Sequence, residues 1–398
     1  MSGYRYATRA EILGASIYDH EPDAIVLNSG LAYPPLLPDV IREATEAARS
    51  HVEETLQYGP LMGIDDLRDE VVRFVAEDEV RCSRENILIT YGAKNALDLA
   101  LRVFVEPGDR VITTRPTYMT ALQIIRSHQA PVLDIGQDDE GFLTDELEEK
   151  LKRLRANGEP MPKLLFDVPD FHNPTGITTS LPRRRKMLEL AREFGFVILE
   201  DDPYRRVRFE GEPVPPLKAL DDDAESVVIS LGTVSKILAP GLRVGWAIGA
   251  PEVVKRMSRQ KADGGSNPFT QRMVTELMRG NKLSKHIADI AAQMRLHRDA
   301  MTESLREFLP DAGVRPPQGG YFLWATLPSG IDGDTLATAA RKHGVEVSSG
   351  RLSYPNEYPR NRLRLAFSFV GPDHIREGVR ALGGVYDDLK KQEKNNGV

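Results

Sequence analysis

Short β-branched runs alternate with helical patterns through the middle of this 398-residue chain, and this alternation is its strongest constraint on fold. Ile87–Thr90, Val111–Thr114, Leu164–Val168, Val197–Glu200, Val227–Leu231 and Val244–Ile248 read as strands. Between them, Ala93 to Phe104 carries apolar residues at 96, 97, 99, 100, 103 and 104, which is helical spacing, and Leu181 to Phe194 reads the same way. A further helix opens at Pro116-Thr-Tyr-Met and runs through Ile125. Such alternation predicts an α/β fold with a mostly parallel sheet covered on both faces. Chemistry in such sheets gathers at the carboxyl ends of strands. Gly92, Tyr118, Asn173, Asp201 and Lys236 all fall just past strands, and a purely structural chain has no reason to place that set there.

Lys236 is the most specific of these. It sits in Ser230-Leu-Gly-Thr233-Val-Ser235-Lys236-Ile-Leu-Ala-Pro-Gly-Leu-Arg243, where a buried strand delivers a lysine among hydroxyls, with an arginine seven residues on. A lysine held there can form a Schiff base with an aldehyde cofactor, while hydroxyls and guanidinium grip a phosphate. An isolated lysine near glycines is usually a solvated loop residue. The ordered string S-K…P-G-L-R-x-G is more specific than that and resembles the cofactor-lysine signature of the class I/II aminotransferases, fold-type-I enzymes that use pyridoxal 5′-phosphate. Leu56-Gln-Tyr-Gly-Pro-Leu-Met-Gly63, Asn173-Pro-Thr-Gly176 and Glu200-Asp-Asp-Pro-Tyr204 extend the likeness over nearly the whole chain, closest to the aminoadipate and kynurenine aminotransferase-like branch.

The resemblance implies a fold-type-I architecture: a seven-stranded, mostly parallel sheet flanked by helices, with a smaller α+β domain. It implies a large cofactor-binding domain at 46–275 and a small domain at 276–398 completed by residues 1–45. The small part would hold a long helix over Lys285 to Phe308, the segment Gly319 to Thr326, a helix near Gly333 to His343 and a strand in Asn361 to Phe367.

It also implies roles. Lys236 would carry the Schiff base and then shuttle a proton at the substrate Cα. Asp201, three residues before Tyr204, would pair with the protonated pyridine nitrogen; Asp202 is the neighbouring acid. Tyr204 and Asn173 would bond the cofactor's phenolic oxygen, and Tyr118 would stack on its ring. Gly92, Ala93 and Lys94, at a helix N-terminus, would meet the phosphate together with Thr233, Ser235 and Arg243. Relatives often carry Ser or Thr where Ala93 stands, so more weight falls on backbone amides, and Lys94 either adds charge to the phosphate or faces solvent. Tyr58 would reach the phosphate of a second subunit, making a homodimer with shared active sites. Arg364 would clamp the substrate α-carboxylate, with Arg362 the competing candidate on the same strand face, and Gly30 would present its backbone there, beside Asn173. Tyr18, Leu31, Tyr33, Asn267 and Arg115 are candidates for the side-chain pocket by position alone.

The remaining features read as structural. Arg183-Arg-Arg-Lys186 is a charge run expected to face solvent, His172 a packing or supporting residue, and Gly264-Gly265 a loop rather than a dinucleotide fingerprint. No Cys/His cluster has metal-ligand spacing. A net charge of −7 offers no basic excess for nucleic acid or anionic lipid, no apolar run approaches a membrane span, and the single cysteine, Cys82, suits a reducing cytoplasm. The expected activity is amino-group transfer between an L-amino acid and a 2-oxo acid. A lyase, cyclase, replacement or oxidising enzyme on the same cofactor is the alternative, favoured by Ala93, Lys94 and Arg115. An amino-acid-sensing domain of a transcription regulator is more remote, since the fold begins almost at once and leaves no room for a helix-turn-helix.

Overall fold

The computed structural model describes residues 4–11, 20–221, 226–280 and 282–396; Tyr18 lies outside them. A two-residue strand, β1 (Ile25–Val26), comes first. Then β2 (Ile87–Thr90), β3 (Val111–Arg115), β4 (Val132–Asp138), β5 (Gly141–Phe142), β6 (Leu164–Asp167), β7 (Val197–Asp201), β8 (Val228–Thr233) and β9 (Gly245–Ile248) form one sheet in the order β2-β9-β8-β7-β6-β3-β4-β5. The pairs β4–β3, β3–β6, β6–β7 and β7–β8 are parallel, whereas β9 runs antiparallel to both β2 and β8. The two-residue β5 adds an antiparallel edge to the seven longer strands.

The central strands are buried along their length because helices cover both faces, although several carry polar residues such as Thr113, Glu200 and Ser230. Successive side chains divide between two cores: Leu164 and Phe166 join one and Leu165 the other, as do Leu199 and Ile198. The second core is closed by helices Thr144–Ala156 and Leu181–Phe194, through Leu147, Leu151, Met187 and Leu190. One residue of the charge run departs from expectation. Arg184 is fully buried, donating to Asp170 at 3.0 Å and to the carbonyls of Thr179 and Pro169. Its position on the helix points inward, and an acid and several carbonyls offset the burial of its charge.

Helix Lys282–Phe308 leads into a second sheet. Here β10 (Gly313–Val314), β11 (Phe322–Thr326), β13 (Ser348–Ser349) and β14 (Arg362–Ala366) pair antiparallel in the order β10-β11-β14-β13. Beside it, β12 (Val345–Glu346) pairs parallel with β1, so the N-terminal segment is tied to this sheet: the Leu27 amide donates to Glu346 O and the Ala366 amide to Leu27 O. Helices Gly333–Lys342 and Pro372–Asn396 complete this part. Helix Ile41–Arg49 packs instead on Pro268–Met278.

Candidate active site

Five strand exits of the large sheet open into one cavity of about 500 Å³. Gly92, Ala93, Lys94, Tyr118, Asn173, Asp201, Tyr204, Thr233, Ser235, Lys236 and Arg243 all line it. Leu31, Leu97, Val168, Pro203, Pro240 and Gly241 supply the rest of the wall. Leu97, Val168 and Pro203 escaped sequence reasoning, because apolar residues in a helix or beside a strand look like core until the cavity is seen.

At one end, β2 turns through Gly92 into helix Ala93–Phe104, and the Asn95 and Ala96 amides donate back to Gly92 O at 3.1 and 3.3 Å, so that the helix N-terminus faces the cavity at Gly92, Ala93 and Lys94. Gly92 has φ +85°, and a Cβ there would lie 3.0 Å from Arg243 Nη2. Arg243 is itself left-handed, with φ +52°, and its Nη2 donates to Tyr91 O at 2.9 Å. The Thr233 hydroxyl donates to Ser235 Oγ at 2.9 Å. Helix terminus, hydroxyls and guanidinium together make an anion cup.

At the middle, Lys236 Nζ donates to Gly30 O at 2.6 Å. Its pKa falls to about 8, first through burial and then through the charges of Lys94, Arg364 and Arg243. Across the cavity, Asp201 closes β7. Burial, and then Asp202, push its pKa up to about 7, against the pull of Lys236 and Lys94. Asp201 Oδ1 is buried and has no hydrogen-bond partner among the described residues. Asp202 is engaged elsewhere, accepting from Arg205 Nε at 2.6 Å, which separates the two neighbouring acids. Tyr204 is buried, and burial raises its phenol above the usual range. Tyr321, which sequence reasoning did not single out, packs against Tyr204 with ring centroids 5.6 Å apart and donates its hydroxyl to Lys236 O at 2.8 Å.

At the other end, Arg364, 2% exposed, and Gly30 are not part of the cavity wall but adjoin it through the wall residues Asn173 and Lys236. Arg364 Nη2 donates to Asn28 O at 2.6 Å and its Nη1 to Asn173 Oδ1 at 3.3 Å. Arg362 bonds instead to Asn361 Oδ1 at 2.8 Å. Gly30 packs against Phe322, where a Cβ would stand 2.4 Å from the ring.

Other candidates fall outside the cavity. Tyr58 is 84% exposed. Arg115 turns away into an ion pair with Glu146 at 2.8 Å, Asn267 caps helix Pro268–Met278, and Tyr33 packs edge-on against His297. Among the described side-chain-pocket candidates, Leu31 alone forms cavity wall. His172 is a supporting residue: buried, with its ring nitrogens at 2.9 Å from Thr114 Oγ1 and 3.1 Å from Thr175 Oγ1, and burial lowers its pKa to about 3. Among the described residues no cluster of His, Cys, Asp or Glu has the makings of a metal site.

An anion cup, an orphaned buried carboxylate oxygen and a lysine of depressed pKa in one cavity fit pyridoxal 5′-phosphate. Residues 22–382 match the family model described as aminotransferase class I and II. The chain belongs to that family. It is 39% identical over 377 residues to aromatic-amino-acid aminotransferase 1 of Thermococcus litoralis, an alignment covering 93% of this chain and 89% of that one. Its fold superposes with a TM-score of 0.91 on the multiple substrate aminotransferase of Thermococcus profundus, 36% identical, over 97% of this chain and 98% of that one. The Pyrococcus horikoshii kynurenine aminotransferase, solved in complex with PMP, matches at 38% identity and a TM-score of 0.89, over 97% of each chain. This aminotransferase has the α/β fold of fold-type-I enzymes and uses pyridoxal phosphate to transfer amino groups. None of its described helices is long and apolar enough to cross a membrane.

Proposed function

We propose that the enzyme moves the amino group of an L-amino acid with a bulky, largely apolar or aromatic side chain to a 2-oxo acid, with Lys236 as cofactor anchor and proton carrier. The observation that carries the site reading is Asp201 Oδ1, buried opposite Lys236 with no hydrogen-bond partner among the described residues. A protonated pyridine nitrogen is the partner that such an atom suits. Pyridoxal phosphate, when bound, supplies an electron-accepting ring that stabilises negative charge at the substrate Cα.

The chain's own groups then divide the work. The Gly92–Lys94 turn, Thr233, Ser235 and Arg243 would hold the phosphate, Tyr118 would cover the ring, and Asn173 and Tyr204 would bond its phenolic oxygen. Arg364 holds the α-carboxylate. Lys236 Nζ, with its pKa near 8, has a neutral fraction near neutral pH and can take the proton from Cα and return it. The apolar wall of Leu31, Leu97, Val168 and Pro203 supports a large uncharged side chain, as do the aromatic-amino-acid and kynurenine enzymes among its relatives.

The division into 46–275 and 276–398 plus 1–45 is part of the same proposal, supported at β1 by its pairing with β12, whereas helix Ile41–Arg49, which spans the 45/46 boundary, packs on Pro268–Met278 of the large part. So is a homodimer: Ile41, Leu56 and Tyr58 stand 70%, 77% and 84% exposed along one stretch, a large apolar display for a lone chain. The chain's single cysteine supports work in a reducing, cytoplasmic compartment, and a role in amino-acid biosynthesis belongs to the same proposal through the amino-group transfer.

The test is a half-reaction screen of the purified holoenzyme. Aromatic donors are expected to convert the cofactor to its amine form with release of the matching oxo acid; release of ammonia or a rearranged amino acid as main product would overturn transfer. Lys236→Ala is expected to abolish the conversion by at least about 10³-fold. Mixing Lys236→Ala with Tyr58→Ala protomers is expected to restore part of the activity. No restoration on exchange of subunits counts against shared sites.

A further inference from the structure

We propose that Glu346, acting through Asn28, is a positioning residue for Arg364 and thereby sets the affinity for the α-carboxylate of both substrates. The inference rests on the reading of Arg364 as the carboxylate holder. Glu346 lies on β12, paired in register with Val26 and 4% exposed. A buried carboxylate is costly unless donors surround it. Here His20 Nδ1 lies 2.7 Å and Asn28 Nδ2 3.0 Å from Oε2, while the Glu21 amide is 3.1 Å and Arg341 Nε 3.8 Å from Oε1. Burial pushes the carboxyl's pKa up, but the hydrogen bonds from His20 and the Glu21 amide pull it further down, so it sits below the usual range.

Three of those four donors belong to residues 20–28, and the same stretch continues into the active site. Asn28 O accepts from Arg364 Nη2 at 2.6 Å, Gly30 O from Lys236 Nζ at 2.6 Å, and Leu31 O from Ser368 Oγ at 2.7 Å. Asn28 is the link, since its side chain is bonded to Glu346 and its carbonyl holds the guanidinium. The hydrogen bonds of Arg364 to Asn173 Oδ1 at 3.3 Å and Ser348 Oγ at 3.4 Å are longer. Ser348 itself lies two residues beyond Glu346. A guanidinium binds a carboxylate well only with its fork in the plane of the two oxygens. The Asn28 carbonyl fixes that plane, and Glu346 fixes Asn28.

A purely structural Glu346 would only join the N-terminal segment to the small sheet, and its loss would lower stability and every kinetic constant together. Positioning predicts a split. The holoenzyme variants Glu346→Gln, Asn28→Ala, the double variant and Arg364→Lys are compared by steady-state kinetics with the best amino donor and a 2-oxo acid. Glu346→Gln and Asn28→Ala are each expected to raise KM for both substrates by roughly 5- to 20-fold. Their kcat is expected to stay within about twofold of the parent and the bound-cofactor absorbance unchanged, because the Lys236 cup is untouched. The double variant is expected to be no worse than either single one, since both break one link. A parental KM in Glu346→Gln, or a double variant whose effect is the product of the singles, overturns the proposal. Should Glu346→Gln fail to fold, Asn28→Ala decides alone: it leaves the backbone carbonyl and the other donors to Glu346 in place, and a parental KM sinks the link. If Arg364→Lys also leaves KM unchanged, the carboxylate reading itself falls; if only Glu346→Gln does so, that reading stands and the relay alone fails.

Discussion

The two ends of the proposed active site, one assigned to the phosphate and one to the substrate carboxylate, are built differently. The phosphate end is local: Gly92 to Lys94 form one turn between a strand and a helix, and Thr233, Ser235 and Arg243 come from one continuous stretch. The carboxylate end is assembled from Asn28 and Gly30 near the N-terminus, Asn173 after β6, and Arg364 on β14 of the other sheet. A local site is written into the chain as a motif, whereas an assembled one exists only once separate segments have packed. The first should therefore respond to changes of backbone and charge at single positions, and the second to changes in the contacts between segments.

Asp201→Ala strikes the cavity they share and carries the largest expected effect, a loss of activity of roughly 10³-fold together with weaker cofactor retention. It has a second signature. The folded chain holds Asp201 at about 7 instead of 3.8, so its contribution to stability is present below the lower value and is lost as pH rises through 7. The cofactor-free variant should therefore be more stable than its parent at pH 8, by up to about 4 kcal/mol, and equal to it near pH 4. Thermal melts across pH check this; a gain independent of pH would contradict the burial argument.

Arg364→Lys is expected to cost about 10²-fold in kcat/KM at the assembled end while leaving cofactor retention intact, because an ammonium cannot reproduce the planar fork. Loss of cofactor in this variant would erase the distinction between the ends. At the local end, Gly92→Ala combines a φ of +85° with a Cβ 3.0 Å from Arg243 Nη2, and about tenfold weaker cofactor binding by equilibrium dialysis is expected. Gly384→Ala is its control, since a Cβ there meets nothing within 4 Å and the residue is exposed on helix Pro372–Asn396, outside the cavity wall. The smallest effect belongs to Glu146→Gln. Arg115 holds Glu146 at a pKa of about 2, outside the cavity, so the change should cost roughly 1 kcal/mol in a denaturant titration and leave kinetics unaltered. An altered substrate preference would return Arg115 to the pocket.

What was legible in the chain follows the same division. Six strands of the large sheet, β2, β3, β6, β7, β8 and β9, and the helices Ala93–Phe104 and Leu181–Phe194 could be read from the sequence, whereas β4, interrupted by Asp134, Gly136 and Gln137, could not; eleven cofactor candidates share one cavity because they lie at or near strand ends of one sheet. Choices between chemically equal neighbours could not be made from residues alone. Asp202 is taken by Arg205, Arg362 by Asn361, and Arg115 by Glu146, each an ion pair or hydrogen bond that only the packed chain reveals. Arg184 looks like its solvated neighbours until helix Leu181–Phe194 docks with that residue facing Asp170.

Local order thus specified the sheet, the lysine and the phosphate cup, because backbone conformation and strand-exit position depend on nearby residues. The tertiary structure decided which acid lines the cavity with Lys236, which arginine meets Asn173, that Glu346 accepts from the Asn28 side chain and that Tyr321 donates to the Lys236 carbonyl. Those relations rest on contacts between residues as far apart as 336 positions, which no local pattern encodes.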